Sequence, residues 1–226
     1  MSQFRFRPVS GTPFVVMNLV AINVIFFVAK ILAWNSQQLD LGAVLGLYHP
    51  FHSDFHWYQF ATSIFMHGDF RHILFNMFGL WFFGRMLENV WGAKRFLIYY
   101  LVCGIGASLI FLGWETFTAV NSLSQYGDGW ALLREYPPSS PMIGASGAVF
   151  GLLIGAALLF PNSVINIYGV IPVKLKWLAI LYGAAELYSG YRGASGDNVA
   201  HFAHIGGMIF GFILVQIYKR DKSNFY

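Results

Sequence analysis

Charge is what this sequence has least of. Asp, Glu, Lys and Arg together make up 11% of its 226 residues, against 57% hydrophobic and 19% aromatic residues. An ordinary soluble domain is about 25% charged. So few solvated groups cannot cover a globular surface, which excludes a water-soluble fold. The aromatic content points the same way, because Trp and Tyr collect at bilayer interfaces. Cysteine is nearly absent, and the single Cys103 excludes an intramolecular disulfide. The net charge of +4 is no nucleic-acid signal, since the positions of Lys and Arg carry the information here. Internal repeats, low-complexity tracts and a second domain are also missing. No cleavable signal peptide is expected: the first apolar run, Phe14 to Trp34, is longer than a signal h-region and reads as a retained span.

What is present is a series of apolar runs. A bilayer core about 30 Å thick needs roughly 20 apolar residues per helix. Six runs qualify: 14–34, 69–84 (the apolar part of a longer run, 58–84, that is polar in its middle), 94–113, 145–160, 173–190 and 200–218. Lipid demands that backbone groups be satisfied within a segment or in a closed barrel, and continuous rather than alternating hydrophobicity selects helices. The expected fold is therefore an all-α integral membrane protein, a compact six-helix bundle forming one domain over residues 1–226. With the N-terminus inside, the inner segments hold Arg5, Arg7, Arg85, Lys94, Arg95, Lys174, Lys176, Lys219, Arg220 and Lys222, ten of the 14 basic residues. That bias is the positive-inside pattern and puts both termini in the cytoplasm. Two outer loops are long: Asn35–Trp57, rich enough in Trp, His and Phe to lie partly in the interface, and the polar Trp114–Pro141.

Polar groups inside spans are costly and are functional hypotheses by default. Ser146 opens the fourth span within Gly144-Ala-Ser-Gly147, and His201 and His204 share a face of the sixth. His72 and Asn76, at i and i+4, are neighbours on the second. A helix from Ser146 to Phe160 is only about 22 Å long at 1.5 Å per residue. If Pro161 sets its inner end, Ser146 sits below the outer surface, at the floor of a water-accessible cavity, where the helix N-terminus favours negative charge. Gly147, Gly151 and Gly155 on this helix and Gly207 and Gly211 on the sixth form small-residue stripes that allow close helix packing. Facing stripes would bring His204 level with Ser146, as a general base for a nucleophile. Each feature alone has a plainer reading: helix packing for the serine, a structural or metal pair or a proton relay for the histidines, and an interhelical hydrogen bond for His72 and Asn76. Their convergence favours catalysis.

These stretches carry a resemblance. "GASGAVFG" at 144–151, "FMHGDFRHILFN" at 65–76, "AHIGGMIFG" at 203–211 and "GRMLENVWG" at 84–92 resemble, in order, signatures of the rhomboid family of intramembrane serine proteases. The resemblance implies a serine endopeptidase that cleaves single-span transmembrane proteins near the outer face through an acyl-enzyme. It makes Ser146 the nucleophile and His204 its base, in a dyad with no third carboxylate; Glu186 is the only acid well inside one of the last three spans. It assigns His72, Asn76 and the Ser146 backbone N–H to the oxyanion hole. Gly144 and Gly147 flank the nucleophile, Phe150 stands where many relatives have a Tyr packed on the catalytic His, His67 is structural, and His201 is a supporting residue. No metal and no cofactor are expected; the partners are transmembrane substrates and lipid, not nucleic acid, and the location is a bacterial inner membrane. Two departures stand out: the missing Tyr hydroxyl at Phe150, and a first loop in which Trp57 is followed by Tyr58 and Gln59 instead of Arg. An inactive rhomboid-like helix-binding protein is the alternative, but such relatives lose Ser, His or an oxyanion donor. A zinc protease lacks its HExxH, the soluble-hydrolase GxSxG is unmatched, and a transporter lacks broken helices in corresponding halves.

Overall fold

The computed structural model describes residues 13–167, 170–192 and 200–220; Arg5, Arg7 and Lys222, used above for orientation, lie outside them. The helices are α1 Phe14–Gln37, α2 Leu41–Leu45, α3 Gln59–Thr62 (followed by a 3-10 turn, Ser63–Phe65), α4 Phe70–Leu123, α5 Gly129–Glu135, α6 Ser146–Leu159, α7 Leu175–Arg192 and α8 His201–Arg220. Between α6 and α7 an antiparallel hairpin pairs β1, Val164–Ile167, with β2, Ile171–Lys174. The expected fifth span at 173–190 therefore starts slightly later, because β-branched Val164, Ile165, Ile171 and Val173 favour the strand pairing that takes in 171–174.

α4 is two helices in one run. Its 54 residues would extend about 80 Å at 1.5 Å per residue, more than twice a bilayer core of about 30 Å. The run breaks at Gly92, whose φ of 74° and ψ of 169° suit only a residue without Cβ. The limbs, 70–91 and 93–123, correspond to the second and third predicted spans. The second limb runs on to Leu123 instead of stopping at 113, so the predicted outer loop is partly helical. The physical reason is that 114–123 contains no Gly or Pro, and the Thr116 and Thr118 hydroxyls bond back to carbonyls of the preceding turn. By length and composition α1, α4 and α8 are apolar enough to cross a membrane, while α6 is shorter.

The core is built around α6, which packs against both limbs of α4 and against α8. Leu80, Leu87, Phe96, Tyr99 and Tyr100 of α4 and Leu152 of α6 are fully buried. Lipid offers no hydrophobic drive between helices, so close backbone approach has to supply the attraction. The glycines permit it. A Cβ on Gly207 would strike the Gly147 backbone, and one on Gly211 would lie 2.9 Å from the Gly151 carbonyl oxygen. Gly147 and Gly151 thus face Gly207 and Gly211, as the spacing suggests. Gly155 does not belong to that seam: its missing Cβ points at Tyr99 Oη (2.7 Å) and Leu87 (3.1 Å) on α4. Tyr99 fills this gap and donates its hydroxyl to the Gly151 carbonyl at 2.8 Å.

The N-terminus of α1 follows Pro13 and has no side-chain cap of its own. Glu88 of α4 supplies one, its carboxylate accepting the Val15 and Val16 N–H groups at 2.9 Å each. A carboxylate against the positive end of the helix dipole is favourable, which ties α1 to the bundle.

Candidate active site

Ser146 is the first residue of α6, and no side chain caps that helix N-terminus. The approach to it is pinned from the first loop. Met142 and Leu47 exchange backbone hydrogen bonds (2.8 and 2.9 Å), and the Gly144 N–H donates to the Ser63 carbonyl at 2.9 Å. The loop itself is knotted by the fully buried Gln59. Its Oε1 accepts the His56 N–H (3.1 Å) and its Nε2 donates to the Asp54 carbonyl (2.8 Å). Gln59 thus anchors the loop in which the expected Trp-Arg pair is absent.

Across the α6–α8 seam, His204 Nε2 lies 2.8 Å from Ser146 Oγ. Phe150, one turn along α6, stacks on the His204 ring with centroids 4.3 Å apart and planes 6° apart. Ring position is therefore held by packing without a hydroxyl. For the Ser146 hydroxyl to donate to Nε2, the imidazole proton must sit on Nδ1.

That Nδ1 meets an acid the sequence marks inside a span but gives no role. Glu186 of α7 places Oε2 2.9 Å from His204 Nδ1 and 2.6 Å from His201 Nδ1. The second contact is a hydrogen bond; the first is within ion-pair range but lies off the ring's N–H axis. A carboxylate thus lies beside His204, where the resemblance implies none. The available signal was the cost of any acid inside a span. Glu186, His201 and His204 also lie close enough together for a cation, their donor atoms within 4.8 Å of one another. The two uses exclude one another: a cation would need the Nδ1 lone pair of His204, whereas a Ser146 hydroxyl donating to Nε2 needs the proton on Nδ1.

His72 and Asn76 lie at the start of α4. The helix is capped by Asp69, whose carboxylate accepts the His72 N–H at 2.9 Å; that bond holds its pKa below the usual range. The Gly68 N–H donates to His72 Nδ1 at 3.3 Å, which leaves His72 Nε2 as the N–H donor. Asn76 Nδ2 donates to the His72 carbonyl at 2.9 Å, and its side chain is almost fully buried. Gly144, with φ of 130°, is where the two halves of the site meet. The space of its missing Cβ is 2.7 Å from His72 Nε2 and 3.6 Å from Ser146 Oγ. A side chain at position 144 would therefore crowd both the donor and the nucleophile, and glycine keeps the ground between them open. His67 is fully buried with its ring edge against His72, centroids 5.0 Å apart, and neither ring nitrogen has a hydrogen-bond partner. Burial pushes its pKa from 6.5 down to about 3. Lys30 of α1, also unassigned by sequence, donates to the His67 and Gly68 carbonyls at 2.9 Å each and holds this segment.

With the geometry in hand, comparison with known proteins is decisive. The rhomboid domain model matches residues 54–221. The chain belongs to the rhomboid family. It is 30% identical over 185 residues to the rhomboid-like protein 11, chloroplastic, of Arabidopsis thaliana, covering 79% of this chain and 58% of that protein. It is 28% identical over 168 residues to the rhomboid protease AarA of Providencia stuartii, covering 72% and 56%. It is 34% identical over 165 residues to the rhomboid protein 1, mitochondrial, of Saccharomyces cerevisiae, covering 71% and 43%. This rhomboid spans about half the length of the curated relatives it matches. Family membership makes it a membrane-embedded protein. The relatives come from plastids, mitochondria and a bacterium, so membership does not say which membrane.

Proposed function

We propose that this rhomboid is a serine endopeptidase that cleaves single-span transmembrane proteins close to the outer membrane face. The contact of Ser146 Oγ with His204 Nε2 at 2.8 Å carries the reading. In the reaction, Ser146 Oγ attacks the scissile carbonyl carbon while its proton passes to His204 Nε2. The tetrahedral oxyanion is held by His72, Asn76 and the Ser146 backbone N–H, where the α6 dipole also favours negative charge. The C–N bond then breaks, His204 returns the proton to the leaving amine, and an ester to Ser146 remains. Water, deprotonated by the same imidazole, hydrolyses it. Lateral access is supported by the packing of α7, which rests on α6 and α8 with no comparable contact to α4. Phe75 and Phe78 of α4 and Tyr182 and Tyr188 of α7 are exposed to the surroundings.

Purified protein in detergent, mixed with a model single-span substrate, tests the proposal. Wild type is expected to cleave and to be labelled by a fluorophosphonate at Ser146. Ser146→Ala and His204→Ala should do neither. His72→Ala and Asn76→Ala should each lower kcat by about 10²–10³, the usual effect of removing one oxyanion donor. A wild type that cleaves nothing, or a Ser146→Ala variant that cleaves equally well, would end the proposal and leave a helix-binding role.

A further inference from the structure

Glu186 is a carboxylate inside a helix bundle that lipid surrounds, and such a group is retained only with a partner and usually with a task. Its partners are both imidazoles of α8. Oε2 accepts a hydrogen bond from His201 Nδ1 at 2.6 Å and lies 2.9 Å from His204 Nδ1. The side chains of Glu186, His201 and His204 are only 13%, 14% and 9% exposed, so their attractions are weakly screened. On its opposite edge the same His204 ring meets Ser146. Serine on one nitrogen and carboxylate on the other is the order of groups in a serine–histidine–acid triad.

Resting on the protease reading above, we propose that Glu186 is a positioning residue for His204, held in place by His201, so that the site works as Ser146–His204–Glu186 and not as a bare dyad. The carboxylate keeps the His204 proton on Nδ1, leaving the Nε2 lone pair toward Ser146, and it stabilises the imidazolium that forms when Nε2 takes the serine proton. No bond is made or broken at Glu186, and it stays ionised throughout. His201, by donating to the same oxygen, fixes the carboxylate on the side of the ring that α7 approaches. Because Glu186 is the contribution of α7, the base is fully oriented only while α7 is packed on α8.

Among the described residues, the ionisable groups facing His204 are Glu186 from α7, His201 from α8 and His72 from α4, with the Ser146 hydroxyl from α6. Glu186 is the only anion of that described set, so its removal leaves no negative group beside the ring when Nε2 takes the serine proton. Glu186→Gln should lower kcat by about 10²-fold with KM nearly unchanged. That is less than the roughly 10⁴-fold seen for an in-line acid, as the off-axis contact leads one to expect. Glu186→Asp, which restores the charge on a shorter arm, should regain part of the rate. Wild-type kcat in Glu186→Gln would overturn the proposal. So would a loss that tracks a fall in apparent Tm and is not relieved by Asp. Histidine ¹⁵N spectra of the detergent-solubilised protein read the same claim without turnover. Nδ1 of His204 should carry the proton in wild type, and the balance of tautomers should shift in Glu186→Gln; identical spectra would refute the role. Failure of wild type to show Ser146-dependent cleavage would sink the protease reading instead, a result separable from any of these.

Discussion

At the scale of single residues, the site is organised by which nitrogen of each histidine carries a proton. The Gly68 N–H occupies Nδ1 of His72 and turns Nε2 into a donor. Glu186 and Ser146 occupy the two edges of His204. His67 occupies neither, being buried with both nitrogens unpaired. Its pKa, depressed by burial from 6.5 to about 3, makes it a stability sensor. In the unfolded chain it binds a proton below about pH 6.5, whereas the folded protein keeps it neutral until about pH 3. The unfolded state then holds more protons, so stability is complete above pH 6.5 and falls as the pH drops through that window, by up to about 1.4 kcal/mol per unit. Apparent Tm measured from pH 7.5 to 4.5 should decline for wild type and decline less steeply for His67→Phe. Parallel curves would show that other groups set the acid sensitivity.

At the scale of elements, catalytic geometry depends on how closely two helices approach. Ser146 is on α6 and His204 on α8, and what sets their separation is the glycine seam, with Gly147 and Gly151 against Gly207 and Gly211. A side chain on Gly207 has no space, because its Cβ would meet the Gly147 backbone. Gly207→Val should therefore push α8 away from α6, which costs packing across the seam and a hydrogen bond at the site. Cleavage is expected to fall at least 10²-fold, since misplacement by about 1 Å already costs that much, and apparent Tm should fall with it. The same substitution at the exposed Ile209, which faces outward from α8, should leave both nearly unchanged. Gly207→Val with normal turnover would mean that the seam does not position the dyad.

At the scale of the whole molecule, α1, the two limbs of α4, α6, α7 and α8 supply an even number of potential crossings. With the excess of Lys and Arg near one set of helix ends, this predicts that both termini lie on the cytoplasmic side. Epitope tags at residues 1 and 226 should resist protease in sealed, right-side-out vesicles, while a tag in the segment between α5 and α6 should be cut. Termini on opposite sides would overturn the six-crossing topology. The short α6 fits that frame: its 14 residues span about 21 Å. A helix that stops short inside the bundle can expose its uncapped N-terminus to water only where neighbouring protein, not lipid, surrounds it.

The residue pattern by itself determined the membrane class, the succession of apolar helices and the identity of Ser146, His204, His72 and Asn76 as candidates. Each of these rests on a local property, namely hydrophobic run length, the cost of polar groups in lipid, or short-range helical spacing. The α6–α8 seam was legible for the same reason, because a stripe at spacing four is visible on one helix. Only the tertiary structure decided what lies across from each stripe. It turned Gly155 toward Tyr99 instead of α8, brought Glu88 to the start of α1 and Lys30 to the segment before α4, and made Gln59 the knot of the first loop. Above all, it carried Glu186 from α7 to the edge of His204. These are contacts between residues far apart in the chain, fixed by the relative rotation of packed helices, and no local periodicity records that rotation.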